Sequence, residues 1–259
     1  MRILINASET LRLVDPVADS ARIVRLSTER LLPRYGEATA LNLVYCLGFL
    51  RVSGQLEGAR AVDRHGAGKI HRQGDRRAED TVGYFLTWIQ HGPASEEGAA
   101  SLERVRRMHD HYAREYSISN ETMLHTIALF TVQHEQLLRL VGAAGFSQIE
   151  KEAQVTHWRA IGERLGARDM PATWEGMERF LEWYEGSPAW FGPSPEAHRC
   201  AEALIEQFAN RRLPAGLRWA ARPLLLSLLG DQVLHAVGEE KPARPIVRLV
   251  RRLVRAGLP

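Results

Sequence analysis

One histidine, His109, falls in the apolar stripe of a basic helical segment, Arg104-Val105-Arg106-Arg107-Met108-His109. A neutral imidazole facing an apolar space offers the lone pair that axial ligation of haem iron requires. Upstream, Arg77-Ala78-Glu79-Asp80-Thr81 sets a guanidinium and a hydroxyl one turn apart, above Tyr84, Phe85 and Trp88. Such a pair could hold a propionate or polarise bound oxygen. Each group also has a plainer reading. A histidine on an apolar helix face can be a core residue with a satisfied hydrogen bond. Arg77 can pair with Asp80 or snorkel from its helix end. His111 lies about 200° round the helix from His109, beside the arginines, and so faces solvent. His125, His134 and His157 read as structural or exposed.

Other chemistries find no support. His134-Glu135 lacks the Glu-x-x-His spacing of carboxylate-bridged di-metal bundles. Gly66-Ala67-Gly68-Lys69 is too short for a phosphate loop and has no strand before it. The Gly-x-Ser-x-Gly and zincin signatures of hydrolases do not occur. Cys46 and Cys200 are far apart, in apolar or helical contexts, which disfavours a disulfide framework or thiolate metal site and suggests a reducing compartment.

The elements that must position these groups are helical throughout, with no convincing period-two strand. A buried helix is expected over Leu31 to Leu50, beginning near Pro33-Arg34-Tyr35-Gly36. Asp63 to Arg76, polar and carrying three glycines, reads as a loop. Arg77 to Gln90 is a helix that His91-Gly92-Pro93 stops. Ser95 caps the next, which runs to about Tyr116 with Leu102, Val105, Met108, His109, Tyr112 and Tyr116 on one face. Helices follow from Asn120 to Val141 and, behind the capping box Ser147-Gln148-Ile149-Glu150, to Gly166. Thr173 caps a helix to Glu185, and Ser194-Pro195 opens one to about Asn210. Four prolines, Pro214, Pro223, Pro242 and Pro245, divide the tail. With no repeat or linker, residues 1–259 read as a single all-α domain.

Charge is uneven. From Arg211 onward ten Lys/Arg stand against three Asp/Glu, so the tail carries +7 and the rest −4 of the net +3. Residues 244–259 form a basic amphipathic helix that could lie on an anionic membrane or dock on its own core. The longest uncharged run, Ala38 to Leu50, is 13 residues, short of the roughly 20 that span a bilayer. Met1 to Arg30 lacks the pattern of a secretory signal. A soluble, cytoplasmic protein, at most peripheral to membranes and without a nucleic-acid partner, is expected.

Taken in order, these motifs resemble those of the MpaB-type oxygenases, a family that includes the catalytic domain of latex-clearing rubber oxygenases. The resemblance rests on Arg77-x-x-Asp80-Thr81, Arg104-x-x-x-x-His109, Asn120-x-x-Met123-Leu124, and Glu152 with Trp158-x-x-Ile161-Gly162. It continues through Met170-Pro171-Ala172-Thr173, Trp183-Tyr184-Glu185, Leu228-Leu229-Gly230-Asp231 and Ala236-Val237-Gly238, from about Tyr35 to Leu253. The resemblance implies an all-helical fold with a globin-like core holding haem b, His109 on the iron, and Arg77 and Thr81 beside it. Rubber cleavers carry a lysine before the threonine where this chain has Asp80, so a lysine-closed resting state is not expected. Asp80 could instead pair with Arg77 or move a proton. The missing secretion signal argues against polyisoprene as the substrate. The resulting expectation is a haem-dependent oxygenase that uses O2 to cleave a C=C bond of a lipophilic, isoprenoid-type substrate. Its pocket would be lined by Tyr84, Phe85, Trp88, Val105, Met108 and Tyr112. The alternative is a non-catalytic haem- or lipid-binding helical protein at the membrane surface.

Overall fold

The computed structural model describes residues 15–31 and 36–258. Over these residues the chain is all-helical, and its one pairing of extended backbone is an isolated bridge between Gln55 and Phe191. In chain order the helices are α1 (Ser20–Leu31), α2 (Glu37–Ser53), α3 (Leu56–Asp63), α4 (Lys69–Arg72) and α5 (Gly74–His91). Next come α6 (Glu96–Tyr112), α7 (Asn120–Leu140), α8 (Gln148–Leu165), α9 (Trp174–Gly186) and α10 (Pro195–Arg212). A 3-10 turn, Ala215–Ala220, leads into α11 (Ala221–Leu226), α12 (Asp231–Val237) and α13 (Arg244–Gly257).

Helix starts follow local side-chain chemistry. Ser95, Ser119, Ser147, Thr173 and Ser194 each accept a backbone N–H from the first turn of the helix they precede. Each such cap contributes about 1 kcal/mol. Ser147 and Glu150 form the reciprocal capping box that their spacing predicts.

Three boundaries differ from expectation. The segment over 63–76 is not one loop: α4 lies within it, and α5 begins at Gly74. Its turn is made by Arg64 and His65, both in the left-handed region at φ 49° and 54°. Asp63 closes that turn by accepting the Gly66 N–H. Helix α6 stops at Tyr112, and residues beyond it continue only as a turn, with the Tyr116 N–H donating to the Tyr112 carbonyl. Pro223 sits in the first turn of α11, where a missing N–H costs nothing, rather than between helices. The predicted start of α2 near Pro33 to Tyr35 lies outside the described residues.

Helix α7 runs through the middle of the molecule. Leu124, Ile127, Ala128, Leu129, Val132 and Leu138 are all buried, as expected of a helix packed on most sides. It packs against α2, α8 and α9. One apolar cluster spans α2, α10, α11 and α12 through Leu50, Leu204, Phe208, Leu225 and Val237. A second spans α5 to α9 through Trp88, Leu102, Ile127, Trp158 and Leu181.

A buried polar network joins these layers. Glu185 at the end of α9 accepts from Arg51 Nε at 2.5 Å and Nη2 at 3.1 Å, and from His125 Nε2 at 2.9 Å. Gln55 Nε2 donates to His125 Nδ1 at 2.7 Å, so the partners assign a neutral ring protonated on Nε2. Burial opposes ionisation of Glu185, but the hydrogen bond from His125 and the charge of Arg51 hold its carboxyl below the usual range. Replacing Glu185 with leucine strands the Arg51 guanidinium. The expected cost is about 3–5 kcal/mol, read as a lower urea midpoint. In the Arg51→Met/Glu185→Leu double variant, where neither charge is left alone, most of that loss is recovered.

Candidate functional site

Helices α5 and α6 form a tight hairpin. Gly92 ends α5 at φ 82°, and a Cβ on Gly98 would stand 2.0 Å from the Gly92 carbonyl oxygen. Only glycine fits either position. The hairpin lays the α5 stripe of Arg77, Thr81, Tyr84 and Phe85 along a run of rings contributed by other helices. Phe85 meets Phe130 of α7 edge-on at 4.6 Å between centroids and Trp158 of α8 at 5.8 Å. Phe130 in turn lies 6.0 Å from Phe49 of α2, and Phe49 4.9 Å from Tyr45. Most of these rings are only half-buried: Phe49, Tyr84, Phe85 and Phe130 all keep exposed surface.

Arg77 closes one end of this run. Its guanidinium lies 4.5 Å above the Phe49 ring and donates to the Tyr45 hydroxyl. The anticipated Arg77–Asp80 pair does not form, because Asp80 pairs with Lys69 of α4 at the surface. Arg77 is therefore a half-buried cation with no carboxylate partner among the described residues. One turn on, the half-buried Thr81 hydroxyl also has no hydrogen-bond partner among them.

His109, near the end of α6, combines two properties seldom found together. The ring is exposed, whereas its place on the apolar stripe with Leu102 and Val105 predicts an inward one; neighbouring protein still desolvates it enough to lower its pKa. Neither ring nitrogen has a hydrogen-bond partner among the described residues, and the lowered pKa favours the neutral ring with its lone pair unused. His134 of α7 behaves alike: only half-buried, without a hydrogen-bond partner, and pushed down to about 4 by desolvation alone.

The remaining predicted residues divide. Val105 and Trp88 are buried in one apolar cluster with Tyr84 and Phe85 packed against it, and the Trp88 N–H donates to Ser101 Oγ at 3.1 Å. They form the wall behind the rings. Met108 is 41% exposed. Tyr112 packs under the Arg64 guanidinium, 4.8 Å from its ring centroid, rather than among the rings. His111 is exposed, as its helical phase requires. Tyr45, Phe49, Phe130 and His134 were not anticipated. Phe130 and His134 lie one turn apart on α7, as Tyr45 and Phe49 do on α2, and that i,i+4 spacing is the signal that could have found them.

Two concavities lie away from these groups. One of about 240 Å³ borders the opposite flank of α5, between Asp75 and Glu79 on one side and Arg211 and Arg212 on the other. Another of about 370 Å³ holds His198, Glu202 and Glu239, whose ligand atoms converge as a metal site would need. Arg222 already bridges both carboxylates there. Asp63, His71 and Cys200 also converge, and there Arg199 chelates the buried Asp63 carboxylate.

The fold and these groups define an all-helical protein with a run of half-buried rings beside an unpaired cation and a hydroxyl without a partner, and with two unpartnered imidazoles on α6 and α7. The chain belongs to the family described as ER-bound oxygenase mpaB/B'/rubber oxygenase, catalytic domain, which it matches over residues 34–259. It is 26% identical over 165 residues to the ER-bound oxygenase mpaB of Penicillium roqueforti (strain FM164), covering 63% of this chain and 52% of the relative. To the ER-bound oxygenase mpaB of Penicillium brevicompactum it is 26% identical over 179 residues, or 65% of this chain and 46% of the relative. The chain thus spans about half the length of these relatives. Several motif residues have structural duties: Asn120 exchanges two hydrogen bonds with the Arg168 backbone, and Glu185 holds the buried network.

His157 of α8 is fully buried with both ring nitrogens unpartnered, and burial pushes its pKa down to about 4. Below pH 6.5 the unfolded chain takes up a proton that the folded ring refuses. Stability therefore falls as pH drops from about 6.5 toward about 4, by roughly 3 kcal/mol in total. His134 contributes in the same direction. Thermal melts of a His157→Phe variant should show a weaker fall between neutral and acid pH than the parent. An unchanged pH slope would exclude this titration.

Proposed function

We propose that the chain is a haem-dependent oxygenase acting on a C=C bond of a lipophilic, isoprenoid-type substrate. The observation that carries this reading is His109: an accessible imidazole with no protein partner for its lone pair, on the helix that forms a hairpin with the Arg77–Thr81 stripe. The residues on the facing stripe of α5 and on α7 suit haem b by their chemistry. His109 would ligate the iron, and the unpaired Arg77 cation would take a propionate. The free Thr81 hydroxyl would donate a hydrogen bond to that carboxylate or to dioxygen. The half-exposed rings of Tyr84, Phe85 and Phe130 would flank the macrocycle and exclude water from the reacting centre. When bound, haem supplies the oxidising chemistry with dioxygen, for which one C=C bond and one O2 balance to two carbonyl groups without an added reductant.

Asp80 has no part in this scheme, since it pairs with Lys69 at the surface. His134 is the better-placed proton carrier by environment, being half-buried and unpartnered. The family supports oxygen chemistry, and the apolar rings support a lipophilic substrate.

Protein produced with adequate iron should show a Soret band that His109→Ala abolishes. Arg77→Leu should weaken haem retention roughly tenfold or more, the loss expected for one charged hydrogen bond. An unsaturated terpenoid under air should yield trapped carbonyl products. A Soret band with no product would leave the non-catalytic haem-binding alternative, and full haem retention by His109→Ala would remove the ligand assignment.

A further inference from the structure

Helix α13 has more apolar surface than the core uses. Val247 and Val250 are buried and Val254 packs partly against the same cluster, so one face docks on the molecule. Arg251 fixes that docking by donating to the Ser227 carbonyl. Yet Ile246, Leu249 and Leu253 stay 42%, 57% and 63% exposed. At 100° per residue they share a stripe about 60° wide beside the docked face. Arg252 and Arg248 follow about 60° and 100° further round from Leu249. The helix carries five arginines and no acidic residue, and none of the five has an ion-pair partner among the described residues. On the 3-10 turn, which packs on α11 as α13 does, Trp219 and Leu217 are 74% and 50% exposed.

We infer that this stripe is a docking face for an anionic lipid surface. Three large aliphatic side chains along a surface helix, bordered by unpaired arginines, match a headgroup boundary in both layers. The leucines and isoleucine enter the acyl edge while the arginines snorkel to phosphates. A protein partner of mixed charge would leave the arginines unmatched. No helix among the described residues is long and apolar enough to cross a membrane, so this contact lies on the surface. The inference is independent of any haem at His109.

Co-sedimentation of the full chain with vesicles tests it, using phosphatidylcholine containing about 30% phosphatidylserine against phosphatidylcholine alone. The protein should bind the anionic vesicles, and added salt should weaken the binding. Arg248→Glu/Arg252→Glu should reduce affinity about thirtyfold or more. Leu249→Ser/Leu253→Ser, at exposed positions that leave the docked face intact, should abolish sedimentation while circular dichroism stays that of the parent. No binding at low salt, or binding unchanged in both variants, overturns the inference. So does a dimer in light scattering that the leucine variant splits while vesicles are ignored, since a second copy would then cover the stripe.

Discussion

An ionised carboxylate in an apolar interior must be surrounded by cations and donors, and the register of three helices here is set by meeting that demand at Glu185. Arg51 reaches it from α2 and His125 from α7, while Glu185 itself ends α9. Any rotation of α7 that freed His125 would take from the carboxylate the donor that Arg51 does not replace. His125 and His134 are nine residues apart, about 180° round the same helix. Pinning His125 against Glu185 therefore turns the side of α7 that bears Phe130 and His134 toward α5 and α8. The clamp on one side of the central helix orients the run of rings on the other.

The histidines show how one residue type is settled differently by its surroundings. His125 is completely buried, yet Gln55 and Glu185 satisfy both its nitrogens, and it acts as a structural tie. His157 is as deeply buried with no partner, so only its neutral form is tolerated. His109 and His134 are unpartnered too, but each keeps surface open to solvent. That difference separates a ring trapped in packing from one available to a ligand. All of these rings sit on helices with apolar neighbours, so sequence periodicity alone cannot rank them.

What could be read from residue order was chiefly what neighbours in the chain decide. Ser95, Ser147, Thr173 and Ser194 announce their helices because a cap and its target lie within four residues. The stripe of Arg77, Thr81, Tyr84 and Phe85 was legible for the same reason. Long-range partners were not. Arg77 and Asp80 have a spacing that suggests an ion pair, but α4 folds back to bring Lys69 to Asp80 and leaves Arg77 to Tyr45 and Phe49. The turn after Asp63 looked like open loop because the arginine that neutralises its carboxylate, Arg199, is 136 residues away. Tyr45 and Phe49 lie in a helix apolar enough to read as plain core. In α13, residue order offered core docking and membrane contact as rivals, whereas the fold gives docking to Val247 and Val250 and leaves Ile246, Leu249 and Leu253 outside.

The run of rings is also a thermodynamic statement about the protein. Apolar area left uncovered forgoes about 25 cal/mol for each Å², and the chain keeps four large rings only half-covered. It also keeps a guanidinium without a carboxylate and two imidazoles without donors or acceptors. Each of these could be improved by ordinary substitutions, a filled gap or an added acid, at a gain in stability. A ligand that covered them would stabilise the protein with the logarithm of its concentration relative to its dissociation constant. Melting temperature would then rise with the concentration of any ligand that covers these rings.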